Sequence, residues 1–291
     1  MTTADKVFSA LQRLAREQGR PVNELMVLYG LERTLDRLTR TLFADKFILK
    51  GGVLLAAFDE RRVTRDIDLQ ARLLTVGAQR LREVAEAIAG VDVDDGLVYD
   101  TDDITVETIR EGGEYEGLRV RFRARLRAAP LAIQLDVSTG DPIWPHPEPV
   151  MLPGLLGDDV TMLGHPMVMI VAEKAVTVLQ RGITSTRWRD YMDIVNLSRA
   201  HPFTAGELHE TCSRVAQHRG VQLGPIEELV QGYGAIGQTK WASWRTKNGA
   251  GDRTEPMLDD QMTHLVRFVD PIFSGEVTGQ QVWDAPTRTW N

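Results

Sequence analysis

The chain has 291 residues, 43% of them apolar, with 34 basic against 41 acidic side chains and a formal net charge of −7. That composition supports a sizeable core in one large domain or two lobes, and it excludes a protein that coats nucleic acid through bulk positive charge, so any contact with phosphates must be local. A single cysteine, Cys212, excludes an internal disulfide and fits a reducing cytoplasm, while the charged N-terminus and the absence of an apolar run near 20 residues predict no signal peptide and no membrane partner.

In chain order, helices are expected over 5–18 and 23–43, the second with Asn23 as cap and Leu25, Leu28, Leu31, Leu35, Leu38 and Leu42 recurring at helical spacing. "KFILK" reads as a short strand that runs into Gly51, Gly52 and a helical "VLLAAF". A "DIDLQARL" strand follows, then a helix over 78–89. Period-two alternation makes "DITVETIRE", "LRVRFRARLRA" and "LAIQLDVS" three strands. The prolines 142, 145, 147, 149 and 153 predict a connection. Beyond Gly164 helices are expected at about 166–181, 187–199, 204–218, 225–232, 237–246 and 259–269. The pattern is α+β: a mixed-sheet lobe over 1–160 and a helical C-terminal lobe over 161–291, hinged near 155–165.

The chemistry concentrates in "RRVTRDIDLQ". On a strand, Ile67 and Leu69 face one side while Asp66 and Asp68 share the other, about 7 Å apart. Two carboxylates crowded in this way repel unless a cation or water screens them. In "LAIQLDVSTGD" the same alternation leaves Asp136 on the open face. Three converging carboxylates suit one or two Mg²⁺ ions, with Mn²⁺ as the alternative ion. A solvated acidic face is the competing reading for any one of them. Upstream, the Gly51–Gly52 turn allows close backbone approach to a phosphate.

The order Lys50, Gly51, Gly52, then Arg62, Thr64, Asp66 and Asp68 as R-x-T-x-D-I-D-L resembles the first motif of the AbiE-type abortive-infection toxins. These are nucleotidyltransferase-like toxins of type IV toxin–antitoxin systems, a group that includes the mycobacterial MenT toxins. "IQLDVSTGD" resembles the second motif, and "AEKAVTVLQRG" followed by "RWRDYMDIV" the third and fourth, across roughly 48–196. Val53 departs from the serine that many polymerase-β-like transferases carry after the glycines. The resemblance implies a polymerase-β-like nucleotidyltransferase lobe and transfer of a nucleotidyl group from an NTP to an acceptor, in the MenT branch the tRNA 3′ end. It makes Asp66 and Asp68 catalytic metal ligands, Asp136 the third metal ligand, and Lys50, Gly51, Gly52, Arg62 and Lys174 nucleotide-binding residues. Lys174 is also catalytic, and the last functional acid maps onto Asp190, with Asp193 as its neighbour. The expected partners are an NTP, RNA, and a cognate antitoxin protein or a regulating kinase. Phosphate added to Thr64 would put about two negative charges beside the metal carboxylates.

Glu173 and Lys174 interrupt an otherwise apolar helix, so Lys174 needs a partner or an anion. Arg119, Arg121, Arg123, Arg125 and Arg127 alternate on one strand face, either as a phosphate-steering stripe or paired with acids such as Glu107, Glu111 and Glu116. "GYGAIG" at 232–237 spells a dinucleotide-binding pattern but follows a helical stretch. The scattered histidines offer no zinc site, and neither a Walker A loop nor a G-x-S-x-G elbow is present. Trp188, Trp241 and Trp244 read as packing residues. Transfer to a protein or a small molecule, and a catalytically inactive binding module, are the alternatives to RNA as acceptor.

Overall fold

A computed structural model describes residues 2–111, 115–138, 142–184 and 186–291. The chain divides into two compact units, 1–140 with 147–165, and 141–146 with 166–291. The expected lobes, 1–160 and 161–291, differ from these in two respects. Residues 160–164 form a strand of the first unit's sheet, and part of the proline-rich connection belongs to the second unit.

The first unit opens with helices α1 (Thr3–Gln18) and α2 (Val22–Thr39). α2 starts one residue before Asn23, with Pro21 at the cap position, and it ends at Thr39. The hydroxyls of Thr39 and Thr41 bond back to the carbonyls of Asp36 and Leu38 at 2.6 and 2.8 Å, satisfying groups the last turn leaves open and stopping the helix. Leu42, expected on the apolar stripe, is consequently 77% exposed.

Strand β1 (Phe47–Lys50) leads into the four-residue helix α3 (Gly51–Leu54), and β2 is Ile67–Ala71. Helix α4 (Ala78–Ala89) precedes the strands β3 (Leu97–Glu111), β4 (Tyr115–Leu126) and β5 (Ala129–Ser138). Two further strands, β6 (Glu148–Leu152) and β7 (Val160–Gly164), lie where only a connection was expected. Pro149 is tolerated because β6 sits at the sheet edge, where a missing ladder donor costs little. The sheet order among the described residues is β3-β4-β5-β2-β1-β7-β6, with β2–β5 and β1–β7 parallel and the other pairings antiparallel. This is the mixed sheet that the alternation implied.

α2 covers one face of this sheet. Its Leu25, Leu28, Leu31, Leu35 and Leu38 are buried, as are Ile67, Leu69, Ile133, Leu135 and Val137 from β2 and β5. A Cβ on Gly30 of α2 would meet Leu131 and Ile133 at 3.3 and 3.4 Å, so helix and sheet pack closely here. With one face buried, the period-two alternation sends the polar residues of β4, β5 and β2 to the opposite face.

The second unit contains α5 (Met167–Arg181), α6 (Trp188–Ala200), α7 (Ala205–His218), α8 (Glu227–Val230), α9 (Tyr233–Lys247) and α10 (Leu258–Phe273). A small sheet of β8 (Phe203–Thr204), β9 (Val282–Asp284) and β10 (Thr289–Trp290) joins them, an element too short for alternation to announce. "GYGAIG" starts α9, with Gly232 at the cap, and does not form a strand–turn–helix phosphate loop. Trp188, Trp241 and Trp244 pack on one another at 5.2 to 6.1 Å between ring centroids. None of the helices described is long and apolar enough to cross a membrane.

Candidate active site

Both glycines after β1 are required by close approach. Gly51 has φ +67, and a Cβ there would fall 1.8 Å from Oδ2 of Asp68, so only glycine lets this carboxylate lie against the backbone. A Cβ on Gly52 would meet Oγ1 of Thr64 at 2.7 Å and Nη1 of Arg62 at 3.1 Å. The turn is therefore in contact with three residues of the R-x-T-x-D-I-D-L stretch. Thr64, only 3% exposed, directs its hydroxyl to Oδ1 of Asp66 at 3.1 Å. Asp66 lies one residue before β2 begins, half-buried, and Asp68 lies within it.

The segment before Asp66 is pinned from below. Buried Glu32 of α2 accepts a hydrogen bond from Arg61 and another from the amide of Leu155 at 2.9 Å, while Arg61 also donates to the carbonyl of Pro153. Burial raises the Glu32 carboxyl above its ordinary value, against the opposing pull of Arg61. A cleft of about 230 Å³ between α2 and this segment is lined by Glu32, Gly52, Arg61, Arg62 and Thr64 among others.

The sheet register sets four charged residues side by side. Lys50 pairs with Asp68 across β1–β2, Asp68 with Asp136 across β2–β5, and Asp136 with Arg119 across β5–β4. Directly opposed residues share a face, so a row of +, −, −, + runs across four strands at about 4.8 Å per step. Asp136 is 8% exposed, and both its oxygens are engaged by Arg119, Nε to Oδ1 at 2.7 Å and Nη2 to Oδ2 at 2.6 Å. Gln134 donates to Oδ2 as well, at 3.4 Å. The hydrogen bond to Asp136 raises the Arg119 guanidinium above its usual value, and the charges of Asp136, Glu107 and Asp66 act in the same direction. Asp66 thus shares the neighbourhood of Arg119. Among the described residues, no three acidic, histidine or cysteine side chains converge as a metal-holding group.

Arg121 and Arg123 of β4, and Arg127 just beyond its end, are matched by acids. Arg121 meets Glu107 at 2.6 Å, Arg123 meets Asp103 at 3.4 Å, and Arg127 meets Asp5 at 2.9 Å. Four of the five arginines of the stripe, Arg119, Arg121, Arg123 and Arg127, are ion-paired, which weakens the support for phosphate steering by bulk charge. Glu111 and Glu116, named above as partners, have side chains outside the described residues.

In the second unit, Lys174 of α5 reaches Oδ1 of Asp190 at 2.7 Å and Oδ2 of Asp193 at 3.0 Å, both on α6. Asp190 and Asp193 are three apart and face the same neighbour. Arg187 closes the cluster on Oδ2 of Asp190 at 2.8 Å. The side chain of Asp193 is fully buried and that of Lys174 is 13% exposed. The Lys174 ammonium is therefore held by both acids between which the sequence left the choice open.

Sequence reasoning placed Arg119 in the stripe but missed its lock on Asp136, and it missed Glu32 and Arg187 altogether. The Arg119 pairing had a signal in the two-residue turn Arg127–Ala128, since Leu126 opposite Ala129 carries the antiparallel register back to Arg119 opposite Asp136. Glu32 gave no signal, because its partners Arg61 and Leu155 are distant in sequence.

A family model described as nucleotidyl transferase AbiEii toxin, type IV toxin–antitoxin system, matches residues 33–273. No curated protein matches the chain. Two solved Helicobacter pylori structures are similar at low identity. One, described provisionally as a nucleotidyltransferase, is 16% identical with a TM-score of 0.43 and covers 80% of this chain and 84% of its own. The other, JHP933, is 15% identical with a TM-score of 0.42 and covers 78% of this chain and 96% of its own.

Proposed function

Because the chain belongs to the AbiEii family of nucleotidyl transferase toxins of type IV toxin–antitoxin systems, we propose that it moves a nucleoside monophosphate from an NTP onto an RNA acceptor, the tRNA 3′ end, and so blocks translation. Membership makes the chain a nucleotidyltransferase toxin that takes an NTP, uses a divalent metal as the family generally does, and answers to an antitoxin. The ion is Mg²⁺ in this reading, and the acceptor, the base and the cytoplasmic setting belong to the proposal. The first unit is taken as the nucleotidyltransferase lobe.

The observation that carries the reading is the carboxylate of Asp68 set against the Cα of Gly51, which only glycine permits, in the row that also contains Lys50 and Asp136. The fit of a hard cation follows from the donors. Asp66 and Asp68 supply carboxylate oxygens of the type Mg²⁺ takes, and both lie beside a turn whose backbone can approach a phosphate. Asp136 fits less well, because Arg119 and Gln134 already use its oxygens. When bound, the metal would offset charge on the attacking and leaving oxygens.

The protein's own groups do the positioning. Thr64 orients Asp66, Gly51 and Gly52 admit the polyphosphate to the backbone, and Lys50 and Arg62 supply positive charge beside it. Lys174 is a point-charge phosphate ligand aligned by Asp190 and Asp193. A kinase aimed at Thr64 would have to open the loop first, since its hydroxyl is buried between Gly52 and Asp66.

Sequencing RNA 3′ ends after brief expression tests the reading. The expected result is one added nucleotide on tRNA, lost in Asp66→Ala. Label from NTP entering protein or a small molecule would transfer the activity to another acceptor, and no label with no growth inhibition would leave a binding module of the same fold.

A further inference from the structure

The Asp136–Arg119 pair does not behave like an open metal-ligand position. A carboxylate waiting for a hard cation keeps an oxygen directed at the vacant position, yet Asp136 is nearly buried and both its oxygens accept from Arg119. Gln134 adds a bond to the oxygen that Nη2 already uses. Arg119 is in the opposite condition. Its side chain is 27% exposed, and the fork spends one N–H on Nε and one on Nη2, leaving three of its five donors. Bidentate capture fixes the plane of the guanidinium, so those donors have a defined direction. The other arginines of β4 that meet acids, Arg121 and Arg123, pair through more exposed contacts, with side chains 46 to 66% exposed.

We propose that Asp136 is a positioning residue that holds Arg119 as a fixed phosphate-binding cation at the end of the acidic row, so that divalent metal is held by Asp66 and Asp68 without Asp136. The inference rests on the nucleotidyltransferase reading of the same site. It changes the chemistry of the third position from a metal ligand to the anchor of a cation that recognises a phosphate oxygen. Two substrates offer that oxygen, the triphosphate and the backbone of the acceptor RNA, and Arg119 could serve either with the same donors.

The test uses the full chain with Asp136→Asn, Arg119→Gln and Arg119→Lys, each first checked for an unchanged circular dichroism spectrum, and Asp68→Asn as the metal control. Mn²⁺ affinity is measured by electron paramagnetic resonance without substrate, and binding of inorganic tripolyphosphate and of unmodified tRNA is measured separately. Expected are an Mn²⁺ affinity within about twofold of the parent in Asp136→Asn and a loss in Asp68→Asn. Asp136→Asn and Arg119→Gln should weaken the same anion, tripolyphosphate or tRNA, by roughly tenfold, with Arg119→Lys in between because it keeps the charge but not the fork. The double variant should be no worse than the single ones, because the two residues act as one unit. Loss of Mn²⁺ affinity in Asp136→Asn, or no change in either anion in both variants, overturns the proposal. None of these readouts needs turnover, so a parent protein that binds as expected but transfers no nucleotide would sink the functional reading and not this one.

Discussion

At Gly51 a single hydrogen in place of a methyl group decides where Asp68 can lie. Gly51→Ala places a Cβ where the carboxylate now sits and imposes a left-handed backbone on an L-residue. The backbone term alone is about 1–2 kcal/mol, a melting-point drop of a few degrees. Transfer activity should fall far more than stability, by at least ~100-fold, because the carboxylate is displaced. A melt alongside a single-turnover assay separates the two, and an active Gly51→Ala would show that the close approach is incidental. Glu32 gives a prediction in pH. Burial lifts its folded pKa above 4.5, so between 4.5 and the folded value the native state holds more proton than the unfolded chain. Stability from this group is then greatest at low pH and declines as pH rises through that window. Glu32→Gln should flatten that part of a stability-against-pH curve.

Elements explain which side chains could be read in advance. The alternation in β2, β4 and β5 was legible because one face of the sheet is buried against α2, which ties periodicity to facing direction. Asp68 and Asp136 therefore fell on one face as expected, and the R-x-T-x-D-I-D-L stretch marked its own turn. Strand β7 and the edge strand β6 were not legible, because prolines and short length hide a strand whose existence depends on pairing. Nor did alternation alone show that Arg119 would be locked while Arg121 and Arg123 would sit in exposed pairs, since that depends on register and on the acids of β3. Exposed pairs of this kind contribute about 0–1 kcal/mol. Arg121→Gln with Arg123→Gln should therefore leave the melting temperature nearly unchanged, and tRNA affinity and its salt dependence within about twofold. A steep loss would restore the steering idea. Between α5 and α6 the stakes are higher. Lys174→Met removes the ammonium that Asp190 and Asp193, both buried, share, a cost of about 3–5 kcal/mol. Asp193→Asn should cost less, because Lys174 keeps Asp190. Chemical denaturation of both variants checks the order.

For the whole molecule, an acidic chain of −7 holds its candidate chemistry in local arrangements and not in bulk charge. The first unit presents a charge row on a sheet, and the second holds a buried lysine–aspartate cluster. In the proposed reading Asp66 and Asp68 serve nucleotidyl transfer. The most direct measurement incubates the purified chain with each α-labelled NTP, Mg²⁺ and total tRNA, beside folded Asp66→Asn and Asp68→Asn variants. Label from at least one NTP should enter tRNA with the parent, stop on chelation of the metal, and be absent with either variant. Equal labelling by the parent and both variants, or transfer that survives chelation, would contradict that reading.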